Sequence, residues 1–207
     1  MTGPYTTLKV AEAGVLLFEA HRARLGPAVQ AAFDAFAAAA TPGVYVLRAE
    51  GTGLAVTPRG PSRLFDGIPL RWLPSPLAPG LGPQPKAPSP GPYDAVRTPG
   101  VATLLTDPSG VELWESCTAS VLAWDGARLV AVPPSVTRVD STAEGEVRRR
   151  LPVRRAPVRV DAGWPLLLLN AVVGSCAPRG PAFPAQVRRA VEEALQATVC
   201  RALPVSG

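Results

Sequence analysis

The chain has 207 residues, is 47% hydrophobic and carries a formal charge of +5 from 21 basic and 16 acidic residues. That length and apolar share suffice for a sizeable core in one domain or two small ones. No run reaches the ~20 apolar residues of a membrane helix, because "WPLLLLNAVV" is broken by Pro165 and Asn170.

Three well-separated cysteines, Cys117, Cys176 and Cys200, and a single histidine argue against a disulfide framework and against a bound metal. The positive charge is almost wholly arginine, with lysine only at Lys9 and Lys86. Such an arginine-, alanine- and proline-rich composition is what a GC-rich genome produces, so it is weak evidence for a nucleic-acid partner. The opening "MTGPYTTLKV" has neither the basic nor the apolar region of a signal peptide, and the expectation is a cytoplasmic protein.

In chain order, "YTTLKVAEAGVLL" reads as a strand, a turn and a short strand. Phe18, His21, Leu25, Val29, Phe33 and Phe36 then recur at steps of three and four on one helical face, with Gly26-Pro27 predicted to break the helix and restart it. "VYVLRAE", "LAVTPR" and "IPLRWLP" read as strands of one antiparallel meander. Eight prolines between 74 and 92 mark a semi-rigid connector, dividing a small α/β subdomain (1–73) from a larger one (93–207).

Beyond it, "VATLLTD", "VELWES" and "ASVLAWDGARLVAV" are strands, with Asp125-Gly126 as a hairpin turn and Trp114 and Trp124 as core or interface residues. Ser141 and Glu144 have capping-box spacing, which starts a helix there. "LPVRRAPVRV" and "WPLLLLNAVVG" are strands, and Val187, Val191, Leu195, Val199 and Leu203 form the face of a final helix. The fold class is α/β (α+β).

The order of these motifs resembles the class IV aminotransferase family, the pyridoxal-phosphate (PLP) enzymes of fold type IV, which includes branched-chain and D-amino-acid aminotransferases and 4-amino-4-deoxychorismate lyase. "HRARL" (21–25) is similar to the family's H-x-x-R-L. Lys86 followed eleven residues on by Arg97 is similar to its lysine and arginine, and "DPSGVELWESCTAS" resembles its glutamate hairpin, setting the glutamate on Glu115 and the asparagine on Ser120. "DSTAEGEVR" (140–148) resembles the phosphate loop, and "LNAVVG" (169–174) a strand-end motif. The Asn170-Ala171 pairing and "WESCTAS" look more like the lyase branch.

The resemblance implies PLP as cofactor, a two-subdomain architecture with a cleft, a small amino substrate and a homodimer. It implies Lys86 as the catalytic amine, Arg24 and the backbone of Gly145, Glu146 and Val147 at the phosphate, Glu115 at the pyridine nitrogen, and Asn170 and Ala171 beside the cofactor. Those types suit the chemistry: an amine for an aldehyde, a carboxyl for a ring nitrogen, a guanidinium and helix-start amides for a phosphate.

The sequence departs from the family in several places. The glycine-rich N-terminal approach is cut short, Val147 replaces a threonine, Ala143 a leucine, and Gly91 stands near the place of a tyrosine; Glu144 and Glu146 add negative charge beside the proposed phosphate.

Other readings stay open residue by residue: Lys86 as a solvated linker lysine, Arg24 as a surface arginine, Glu115 facing water on an edge strand, His21 as a structural residue, and "RRRLPVRR" as plain solvated surface. The leading expectation is a PLP-dependent 4-amino-4-deoxychorismate lyase-like enzyme of folate biosynthesis. The alternatives are an amino-acid aminotransferase or a non-catalytic remnant that binds a partner, with nucleic-acid binding ranked last.

Overall fold

The computed structural model describes residues 3–84 and 91–196. Strand β1 (Tyr5–Ala11) and the short β2 (Gly14–Val15) lead into α1 (Phe18–Leu25), a 3-10 turn at Pro27–Val29, and α2 (Gln30–Ala39). Gly26, at φ 91°, ends α1 in a conformation closed to other residues, and Pro27 opens the next turn. Strands β3 (Gly43–Glu50) and β4 (Gly53–Arg59) complete an antiparallel sheet of order β2-β1-β3-β4. Alternation along β1 puts Leu8 and Val10 inside and leaves Lys9 exposed. The inner residues pack with Leu25, Val29, Phe33 and Leu47.

The expected meander stops at Arg59. β5 (Leu70–Pro74) instead pairs in parallel with β7 (Ala102–Thr106), Trp72 opposite Leu104. The reason is burial: Leu64 and Ile68, just before β5, sink into the core formed by the second half of the chain, and β5 follows them. Residues 64–74 therefore pack with the larger body. The next strand, β6 (Pro83–Gln84), pairs with β11 (Arg138–Val139).

Besides that two-stranded pair, the described residues of the larger body form two bigger sheets. One has the order β13-β8-β7-β5, with β8 (Glu112–Ser116) and β13 (Val158–Arg159). The other has the order β12-β10-β9-β14-β15, made from β9 (Ser120–Trp124), β10 (Leu129–Ala131), β12 (Val153–Arg155), β14 (Leu166–Asn170) and β15 (Gly174–Cys176). The Asp125-Gly126 turn joins β9 to β10, with Asp125 Oδ1 accepting from the amides of Ala127 and Arg128.

Period two explains the unbroken run "LLLL" in β14. Leu166 and Leu168 face the first sheet, while Leu167 and Leu169 face α3 (Thr142–Arg150) and α4 (Ala185–Gln196), so both faces of the strand are covered. Val191 and Leu195 of α4 are buried there; Val199 and Leu203 of the expected helix face lie outside the described residues.

The two bodies meet through Leu16 and Leu17. Leu17 takes a left-handed conformation at φ 58°, which for a leucine costs about 1–2 kcal/mol. In return both side chains insert beside Leu122 and Val147, where each fully buried leucine contributes roughly 1.5–3 kcal/mol. Among the described residues, no helix is long and apolar enough to cross a membrane, and Cys117 and Cys176 are free thiols.

Candidate active site

The short strand β11 and the residues that follow it form a hub. The amide of Val139 donates to Glu115 Oε2 at 2.9 Å, and the hydroxyl of Tyr93 donates to the same oxygen at 2.7 Å. The amide of Asp140 donates to the carbonyl of Gln84 at 2.9 Å, and Arg24 Nη2 donates to the carbonyl of Asp140. Ser141 caps α3, its Oγ accepting from the Glu144 amide at 3.2 Å and lying 2.9 Å from Ser120 Oγ. Three consecutive residues, Val139 to Ser141, thus gather Arg24 of the smaller body, the β6 end, the β8 carboxyl and the start of a helix.

Burial dominates the electrostatics. Glu115 is 4% exposed, and desolvation raises its carboxyl to about 8, against the opposing pull of the Val139 amide, the Tyr93 hydroxyl and Arg138. Tyr93 is itself raised, by burial first and then by the Glu115 charge. Burial lowers the Arg24 guanidinium, with Asp140 and Tyr5 working the other way. Cys117, just past β8, is pushed up to about 11 by burial.

Beside this group, Arg138 and Glu144 form a bidentate pair at 2.6 and 2.8 Å, with 2% and 1% exposure. Arg148 approaches Glu144 at 3.6 Å. Arg97, expected from the spacing after Lys86, pairs with Asp94 at 3.4 Å.

The structure brings Arg24 and Glu115 to neighbouring residues of one short stretch. Lys86 lies outside the described residues, between Gln84, bonded to Asp140, and Tyr93, bonded to Glu115. Gly145, Glu146 and Val147 sit within α3, past its first turn. The Gly145 amide already donates to the Ser141 carbonyl at 2.9 Å, Glu146 pairs with Arg149 and Arg150, and Val147 is buried in the core. The cap at Ser141 starts the helix earlier, so its first-turn amides are those of Thr142 and Ala143.

Asn170 closes a turn, donating to the Thr118 carbonyl at 2.5 Å and accepting from the Val172 amide at 2.8 Å, while Ala171 packs against the core shared with α3 and α4. His21 is buried, its Nδ1 2.6 Å from Thr6 Oγ1.

Tyr93 and Arg138 are site residues that the sequence did not announce. The only signal for Tyr93 was a tyrosine two residues beyond Gly91; for Arg138, a lone basic residue in the weakly polar run "VPPSVTRVD". In the basic stretch 148–155, Arg148, Arg149, Arg150 and Arg154 each approach a carboxylate, Arg149 and Arg150 sharing Glu146 and Arg148 sharing Glu144 with Arg138. Two hollows, about 100 Å³ beside Trp72 and Trp164 and about 560 Å³ beside Gly14 and Ala37, include neither Arg24 nor Glu115.

No protein-family model matches the sequence, and no curated protein matches it. Solved structures do match. 4-Amino-4-deoxychorismate lyase from Pseudomonas aeruginosa aligns with a TM-score of 0.62 and 20% identity over 94% of this chain and 90% of its own. A hypothetical aminotransferase from Mycobacterium tuberculosis, in its PLP-bound form, aligns with a TM-score of 0.64 and 18% identity over 95% of this chain and 88% of its own. The chain has fold type IV. The α/β architecture implied by the motif order is the one observed.

Proposed function

We propose that this chain is a PLP-dependent enzyme of fold type IV, and within that group a 4-amino-4-deoxychorismate lyase-like one that eliminates pyruvate and leaves p-aminobenzoate. The observation that carries the reading is the convergence of Arg24, Glu115, the β6 end and the start of α3 on Val139 to Ser141. The lyase among the structural neighbours and the Asn170-Ala171 pairing favour this branch. The aminotransferase neighbours support amino-acid transamination as the second reading.

The donor set fits an anionic aromatic aldehyde. Arg24 and the first-turn amides of α3 suit a phosphate. Glu144, the negative charge that would oppose one, is answered internally by Arg138, and Glu146 by Arg149 and Arg150. Glu115 offers a buried carboxyl to a ring nitrogen. When bound, PLP supplies an electron-withdrawing ring that stabilises negative charge on the carbon beside the substrate amine.

The residues around it then have separate roles. Arg24 and α3 hold the phosphate, and Glu115 holds a proton at the ring nitrogen. Lys86 supplies the amine that retains the cofactor and afterwards moves a proton on the substrate. The protein acts in the cytoplasm as a homodimer on a small amino substrate.

Borohydride reduction after adding PLP, followed by peptide mapping, tests the assignment. Label is expected on Lys86, with the bound cofactor's visible absorption lost in Lys86→Ala. Label on Lys9 alone, which faces solvent from β1, or on neither lysine, supports the non-catalytic remnant and ends the enzymatic reading.

A further inference from the structure

Among the described residues, Glu115 is a buried acid that forms no ion pair. Both Nη atoms of the nearest guanidinium, Arg138, are committed to Glu144. The partners of Glu115 are neutral, the Tyr93 hydroxyl and the Val139 amide, and both donate to Oε2. Among the described residues no hydrogen bond reaches Oε1. Two donors on one oxygen fix the rotation of the carboxyl and occupy the lone pairs of that oxygen, so the proton of the neutral acid resides on the other.

We propose that Tyr93 is a positioning residue for Glu115: together with the Val139 amide it pins the carboxyl by Oε2 and reserves Oε1 as the atom at which a proton is held for, and exchanged with, the bound ligand. This deepens the functional reading above and rests on it only for the identity of that ligand. The tyrosine missing near Gly91 is thus supplied two residues further on, and its hydroxyl is turned to the carboxyl.

The groups facing Glu115 come from several elements. Tyr93 precedes the 3-10 turn at Asp94–Val96, Arg138 and Val139 belong to β11, Glu144 comes from α3, and Cys117 follows β8. Burial and the Glu144 charge favour the neutral acid, whereas Tyr93, Val139 and Arg138 favour the carboxylate. Removing the hydroxyl takes away one support of the charged form and leaves the ring in its place.

Infrared difference spectroscopy of the full chain, titrated in the absence of added cofactor, reads the carboxyl directly. The carbonyl stretch of a protonated acid, assigned by its loss in Glu115→Gln, is expected to disappear with a midpoint near the value of about 8 that burial imposes. In Tyr93→Phe the midpoint moves up by about one pH unit. Site-specific 3-fluorotyrosine at position 93, a more acidic donor of almost the same shape, moves it down and serves as the test should the phenylalanine variant fail to fold. A midpoint that stays put with both replacements overturns the proposal, since a merely structural ring would leave it there. That failure leaves the labelling of Lys86 untouched; a shifted midpoint with no labelling sinks the cofactor reading and keeps the role of Tyr93.

Discussion

The end of β8 and the start of α3 each bury a glutamate, and the two are close enough for the charge of Glu144 to raise the proton affinity of Glu115. Depth does not separate them, with exposures of 4% and 1%. Their partners do. Glu144 meets a guanidinium fork, the arrangement that ties an acid into the framework as one half of an ion pair. Glu115 meets a phenol and an amide, which orient it without neutralising it. Among the described residues the hydrogen-bond donors to Glu115 are neutral, so its proton affinity is set by burial more than by an ion pair, whereas Glu144 is bound into one.

The sharpest way to break this contrast is at the ion pair. Arg138→Ala leaves Glu144 buried without its main partner and is expected to cost about 3–5 kcal/mol in urea unfolding, whereas Arg138→Met with Glu144→Leu should recover most of that. A loss below about 1 kcal/mol for the single variant, the level of an exposed pair, would show that the pair is not part of the scaffold.

Next comes Glu115→Gln. The folded state holds a proton that the unfolded chain releases near the ordinary value of 4.5, so wild-type stability falls as pH rises toward the folded value of about 8. Glutamine does not titrate, and the variant should gain roughly 3–4 kcal/mol on the wild type between about pH 5 and about pH 8. A difference that stays flat across that range removes the distinction between the two acids. Smallest is Ser141→Ala, which deletes the cap of α3 and should cost about 1 kcal/mol at every pH, checked by the same unfolding series.

Much of the framework was legible because its signals are local. The strand, turn and short strand of "YTTLKVAEAGVLL", the Gly26-Pro27 break, the Asp125-Gly126 turn and the Ser141 cap each depend on a few neighbouring residues, and each is present in the structure. Of the candidate site, Arg24 and Glu115 could be picked out by motif order, and both reach the same short stretch.

What was not legible is pairing at a distance. The parallel partner of β5 is fixed by where Leu64 and Ile68 find a core. Tyr93 and Glu115 are 22 residues apart, and nothing in either sequence neighbourhood points to the other. The Gly145 amide has a local partner that the motif does not show: with Ser141 as cap, helical hydrogen bonding takes it to the Ser141 carbonyl.

The parallel register of β5 with β7 has one more consequence. Residues 75–101, the proline-rich span that carries Lys86, form a crossover between two adjacent strands, which run side by side at one interstrand spacing, about 4.8 Å. Such an arm is anchored at both shoulders to the same sheet. The backbone passes from the smaller body to the larger on the short stretch after Arg59, so the covalent link between the two bodies lies there and not in the proline-rich span.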